Sequence, residues 1–199
     1  LASGTLTLTG SAVNISSGTM FHQSGGTVTG AGGLLVNGEY SFTDGTHGGT
    51  GTTTISSTGN GSITGAFSKT ISRMIVNDGS LVWSGATVTF SSGAGLTNNG
   101  TFDAQSVSGV LGSGGNGSIV NNGTFSRTTG TVNAQIATAF INNGTTNIQS
   151  GTLQSTLSTS GSGAFVINTG SKYILSSGNH TLDGNTISGG GTLELASGT

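Results

Sequence analysis

The phrase Asn-Asn-Gly-Thr stands at Asn98–Thr101, Asn121–Thr124 and Asn142–Thr145, and looser versions of it recur along the whole chain. Related blocks begin at Ser16, Asn37, Ser57, Asn77, Asn168 and Ser188, so successive spacings are 21, 20, 20, 21, 23, 21, 26 and 20 residues. Gly lies two after the first residue in eight of the nine blocks, and the Asn37 block is one residue short. A Gly held at one phase predicts a corner whose backbone needs positive φ, where glycine carries no Cβ penalty. A second register places Gly twelve residues before the block at Gly4, Gly25, Gly45, Gly65, Gly109 and Gly130, and thirteen before it at Gly85. A third, looser cluster falls four to seven before it, as at Gly10, Gly32 and Gly51. Three turn zones per period leave room for three short strands.

Between these turns the apolar residues alternate, as in Thr5–Thr9 and Thr87–Phe90, which is the strand signal. No window holds a helical period, and Thr, Val and Ile favour strands. The chain reads as all-β. In hairpins or a sandwich, Asn-Gly would close two-residue turns between antiparallel neighbours. Such folds have no reason to keep three glycine registers in step over nine periods. A parallel β-solenoid does, because each residue stacks on its equivalent one coil away. The expectation is a single solenoid domain over residues 1–199, with about nine coils of ~21 residues and three strands per coil. At ~4.8 Å per coil that is a rod of roughly 43 Å.

Stacking assigns roles to the columns. Met20, Leu81, Phe102 and Phe125, four after the block start, form a predicted core column. Val36, Val76, Val120, Ile141, Ile167 and Ile187, one before it, form a second apolar column. Asn37, Asn77, Asn98, Asn121, Asn142 and Asn168 are the candidate rungs of an amide ladder, and Gly79, Gly100, Gly123 and Gly144 are its corner glycines.

Composition narrows the function. Of 199 residues, 39 are Gly, none is Cys or Pro, and only ten are charged, for a net charge of -2. Disordered chains are usually far more charged. Without Cys there are no disulfides or thiolate metal sites. Without a basic cluster there is no electrostatic footprint for nucleic acid or for a membrane surface. No apolar run reaches the length of a membrane span. The lack of an initiator Met and of a signal peptide predicts that Leu1 is an internal or processed start.

The phrases SGTLTLTG (Ser3–Gly10) and GGGTLELASGT (Gly189–Thr199) resemble repeats in the passenger regions of bacterial autotransporters and filamentous-haemagglutinin-like adhesins. That resemblance implies a right-handed parallel β-helix on a secreted bacterial surface protein. It names no ligand, and the membrane β-barrel of an autotransporter has no counterpart here.

Parallel β-helices also carry polysaccharide-degrading enzymes, which need two carboxylates converging on one bond. Glu39, Asp44, Asp78, Asp103, Asp183 and Glu194 share no phase on neighbouring coils, so no catalytic residue is assigned. His22, His47 and His180 share no column and make a poor metal site, and no cofactor is implied. Seven Asn-x-Ser/Thr phrases arise mostly from the turn motif itself. Phe67, Lys69, Arg73 and Trp83 are the most distinct stretch and a candidate glycan or protein patch. Thr5/Thr7, Thr27/Thr29 and Thr87/Thr89 suggest an ice-binding array, but Phe67, Lys69 and Leu111 are expected to interrupt it. Finally, Leu-Ala-Ser-Gly-Thr occupies Leu1–Thr5 and recurs at Leu195–Thr199, nominally at the same phase. The reading is a non-enzymatic extracellular rod segment or filament subunit that stacks end to end or on flanking repeats of its own chain. The alternative is an adhesin or carbohydrate-binding module.

Overall fold

The computed structural model describes residues 1–91 and 93–197. Every regular element among them is a β-strand, and every pairing is parallel and joins one coil to the next. About nine coils of ~21 residues make a β-solenoid. Its strands fall into three ladders. Ladder one stacks Val13–Ile15, Leu34–Val36, Thr52–Ile55, Met74–Asn77, Gly95–Asn98, Ser118–Asn121, Ala139–Asn142 and Thr159–Ser160. Ladder two includes Asn60–Ile63, Ser80–Trp83, Thr101–Ala104, Thr124–Arg127, Thr145–Ile148, Ala164–Ile167 and Thr186–Ser188. Ladder three includes Thr5–Thr7, Lys69–Ile71, Val88–Phe90, Val110–Ser113, Asn133–Ile136, Thr152–Ser155, Lys172–Ser176 and Thr192–Ser197. In two early coils the strands Met20–Thr29 and Glu39–His47 run round the corner and join ladders two and three.

Alternation decides what each ladder buries, since successive side chains point to opposite faces. In ladder two Leu81, Phe102 and Phe125 stack in register and are buried. The rings of Phe102 and Phe125 lie 4.8 Å apart and nearly parallel, and Phe140 meets Phe125 edge-on from ladder one. The predicted core column holds here.

It fails at Met20, which is 55% exposed while Phe21 turns inward and stacks on Tyr40. The corner after Ile15 is the reason. From the inner residue of ladder one to the core residue of ladder two the chain takes four residues at Asn98–Phe102, but six at Ile15–Phe21. The extra residues form a turn closed by the Thr19 N–H donating to Ser16 O. The second apolar column splits for the same kind of reason. Val36 and Ile167 point inward, whereas Val76, Val120 and Ile141 sit half-buried on the outside of ladder one and Ile187 is exposed. Leu1 and Leu195 do not share a phase either. The Leu1 carbonyl accepts from the Ser24 N–H beyond ladder two, while Leu195 lies in ladder three opposite Leu175. Gly198 and Thr199 of the second phrase lie outside the described residues.

The corner glycines are required for a reason other than the one expected. Gly79, Gly100, Gly123 and Gly144 do not adopt positive φ. A Cβ on Gly123 would stand 2.2 Å from the Gly100 carbonyl oxygen, and one on Gly144 the same distance from that of Gly123. The same clash recurs at Gly79, Gly100 and Gly163. Each glycine therefore makes room for the carbonyl of the glycine one coil below. Gly123→Ala is expected to lower stability by about 1–3 kcal/mol through this overpacking, measured by urea denaturation.

Candidate functional site

The block Asn-Asn-Gly-Thr-Phe resolves into four roles. Its first Asn closes ladder one and points inward; Asn77, Asn98, Asn121 and Asn142 are all fully buried. The Nδ2 of Asn77 donates to Asn98 Oδ1 at 2.7 Å, Asn98 to Asn121 at 2.7 Å, and Asn121 to Asn142 at 2.8 Å. Each Nδ2 also donates across the corner, to the carbonyl of Thr101, Thr124, Thr145 or Ala164 respectively. The second Asn faces solvent and builds an outer ladder. Asn143 donates to Asn122, Asn122 to Asn99, and Asn99 to Asp78, at 2.8–3.0 Å. The two ladders run in opposite directions along the axis. Asp78 sets the outer one, because a carboxylate only accepts. Gly and Thr then turn the corner, and Phe enters the core.

Four of the six predicted rungs thus join the buried ladder. Asn37 lies one residue further on, at the solvent side, and donates to Asn14. Asn168 follows ladder two and stacks through its N–H on Ile148, in a different corner. Before Asn77 the column is apolar (Ile15, Val36, Ile55), and Asn77 Oδ1 has no partner.

The candidate patch does not assemble on the surface. Phe67 is 68% exposed, but Lys69, Arg73 and Trp83 are buried. Lys69 is inward because it stacks beneath Val88 in ladder three, and its Nζ donates to Phe67 O. Arg73 closes a corner from inside, Nε donating to Gly51 O and Nη2 to Gly32 O. Trp83 continues the inner column of ladder two and donates to Ala86 O at 3.1 Å. Burial holds the pKa of both Lys69 and Arg73 below the ordinary value, opposed in part by Asp44 and by Tyr40. Composition marks these residues as unusual without telling inward from outward. Arg127 repeats the Arg73 arrangement, donating from Nη1 to Ala104 O and Ser106 O and from Nη2 to Val132 O.

Asp103, Lys172 and Glu194 are also engaged. Asp103 accepts from the Thr128 N–H and hydroxyl and from Gln105. Lys172 pairs with Glu194 at 2.7 Å near the surface. Among the described residues no group of three or more His, Asp or Glu side chains is placed to hold a metal ion. His47 is fully buried, with Nδ1 at 2.9 Å from Gln23 Oε1 and Nε2 at 2.8 Å from Thr53 Oγ1. Burial, reinforced by the Arg73 charge, pushes its pKa down to about 3. The chemistry of this arrangement is recognition of one coil by the next. No known protein family matches the chain, and neither does any curated protein or solved structure.

Asn121→Ala removes a buried donor and acceptor and strands Asn98 and Asn142, at a cost of about 2–4 kcal/mol. Asn122→Ala on the solvent side costs under about 1 kcal/mol by the same accounting. Chemical denaturation of the two variants checks the contrast. The depressed His47 pKa means the unfolded chain binds a proton that the folded chain refuses. The His47 contribution is therefore intact above about pH 6.5 and declines as pH falls toward 3, by up to about 1.4 kcal/mol per pH unit. His47→Gln is expected to flatten that part of the stability profile.

Proposed function

We propose that the chain is a non-enzymatic structural solenoid, a rod segment or filament subunit whose end coils stack on flanking repeats of the same chain or on further copies. The observation that carries this reading is the last rung. Leu175, Leu182, Leu193, Leu195 and His180 line an open hollow of about 340 Å³, and Leu195 is 61% exposed. The strands Thr186–Ser188 and Thr192–Ser197 each pair on one side only. Unpaired strand edges over apolar side chains are templates for another strand. The first rung is complementary. It presents Thr5–Thr7, Val13–Ile15 and the start of Met20–Thr29, one strand from each ladder and in the same order round the coil. Stacking a first rung on a last rung continues all three ladders and buries Leu193 and Leu195 against the Leu6 and Leu8 side. Such a head-to-tail contact is heterologous and open-ended, so it builds filaments and not closed rings.

The likeness of SGTLTLTG to bacterial surface repeats supports an extracellular or cell-surface setting for such a rod. The engagement of Lys69, Arg73, Arg127 and Asp103 by backbone and neighbours supports a structural role over a catalytic one. An adhesin built on Phe67, Lys69, Arg73 and Trp83 lacks its surface, since three of the four are interior.

Negative-stain microscopy and light scattering test the stacking. The expected result is rods in multiples of about 43 Å, lengthening with concentration. Leu193→Asp with Leu195→Asp is expected to leave the circular dichroism unchanged and to shorten the rods to single units. Uniform short monomers at every concentration would refute end-to-end assembly.

A further inference from the structure

Ladder three carries a second surface, along its side and away from either end. Its outward column runs Thr5, Thr27, Thr46, Thr70, Thr89 through five consecutive coils in unbroken register. Two residues along each strand a parallel column runs Thr7, Thr29, Gly48, Ser72, Ser91. Nine of these ten positions bear a hydroxyl. At the tenth, the Ser72 hydroxyl lies 2.5 Å from where a Gly48 Cβ would be, so it leans over the gap. The residues expected to break the array are elsewhere. Lys69 and Leu111 point inward, and Phe67 sits in the preceding loop. The register changes only beyond Val88, where the bulge at Gly112 passes the column to Ser113.

The face is stiff. Between the two columns, Val28, His47, Ile71 and Phe90 point inward and are buried, anchoring their strands to the core. β-Branched Thr has few χ1 choices, so hydroxyl and methyl positions repeat from coil to coil. The repeats are ~4.8 Å between coils and about 6.7 Å between alternate residues of one strand, over roughly 19 Å of rod. A regular grid of hydroxyls at these spacings orders water into a matching grid, each hydroxyl donating one hydrogen bond and accepting up to two. Neither column holds a charged or aromatic side chain. The charge at the margin, Asp44, is turned onto the Gly45 N–H at 2.7 Å. Sugar surfaces are gripped by exposed rings; on these strands the rings of His47 and Phe90 are interior, and the exposed Phe67 stands in the loop before Lys69–Ile71, outside both columns.

We propose that this face binds the ordered water lattice of an ice crystal, with the threonine methyls seated in the lattice and the hydroxyls within its hydrogen-bond network. The side location makes the activity independent of end-to-end stacking, and stacking would lengthen the grid by avidity alone.

Ice-recrystallisation and ice-affinity assays on the purified chain test it. The expected result is arrested growth of ice grains and partition of the protein into the ice fraction. Thr46→Lys with Thr70→Lys places bulk and charge in the middle of the grid and is expected to abolish both effects with an unchanged melting curve. Thr46→Val with Thr70→Val removes hydroxyls without adding bulk, and is expected to weaken both effects should the lysine pair disturb folding. Thr124→Lys, outward on ladder two, is expected to retain full activity. Absence of any effect on ice, ice activity that survives both double substitutions, or retention on crystalline cellulose without an effect on ice would each overturn the proposal.

Discussion

The close approach of one coil to the next at a single corner governs the rest of the molecule. Where Gly123 passes over Gly100, the carbonyl below occupies the space of a side chain, so the chain comes no nearer and cannot carry a Cβ. Just before it, the carbonyls of Asn77, Asn98 and Asn121 each accept two N–H groups from the next coil; Asn98 O receives those of Asn122 and Gly123. Just inside it, the amide ladder from Asn77 to Asn142 spans the same step with side chains. Backbone sterics, backbone hydrogen bonds and a side-chain ladder agree on one spacing and one phase. Strands that leave this corner are in register before they pack. The core phenylalanines four residues on inherit that register.

A narrow solenoid interior has to satisfy its corner carbonyls without water, and here buried cations do so in place of ion pairs. Arg73 and Arg127 each spread a guanidinium across carbonyls from different turns of chain, and Lys69 serves one more. Burying a charge is costly unless it is fully hydrogen-bonded. Arg73 Nη1 and the neighbouring Tyr40 hydroxyl find no protein partner, so this part of the core is less completely satisfied than the asparagine corner. The burial that raises the Tyr40 pKa also keeps His47 neutral. At the far end Tyr173, its pKa pushed up to about 12 by burial, bonds Ser155 and Thr159. Polar groups here tie coils together from the inside.

Much of this is legible in the sequence because stacking forces equivalent residues to be alike. The triplicate Asn-Asn-Gly-Thr phrase locates the corner, the amide ladder and the stacked Phe102 and Phe125. Legibility fails where corner length changes. Two extra residues after Ile15 and after Ile55 keep the glycine in sequence step but shift the strand beyond it, so counting from the block puts Met20 in the core and passes over Phe21. The threonine grid is hidden by the same drift, since that count aligns Lys69 and Phe67 where the fold aligns Thr70. Trp83, Arg73 and Lys69 look like surface chemistry because an aromatic beside cations usually is. Only their inward direction in the folded coils shows otherwise.

The sequence by itself determined that the chain is all-β, that it repeats every ~21 residues, and that its coils stack in parallel. Those properties are local or periodic, and a one-dimensional pattern carries them. Tertiary structure alone decided which face each side chain takes, which glycines relieve a clash, and which hydroxyls align across coils. A strand has only two faces, so one residue gained or lost in a corner reverses every later assignment on that strand. That gain or loss becomes visible only when the next coil is laid on top.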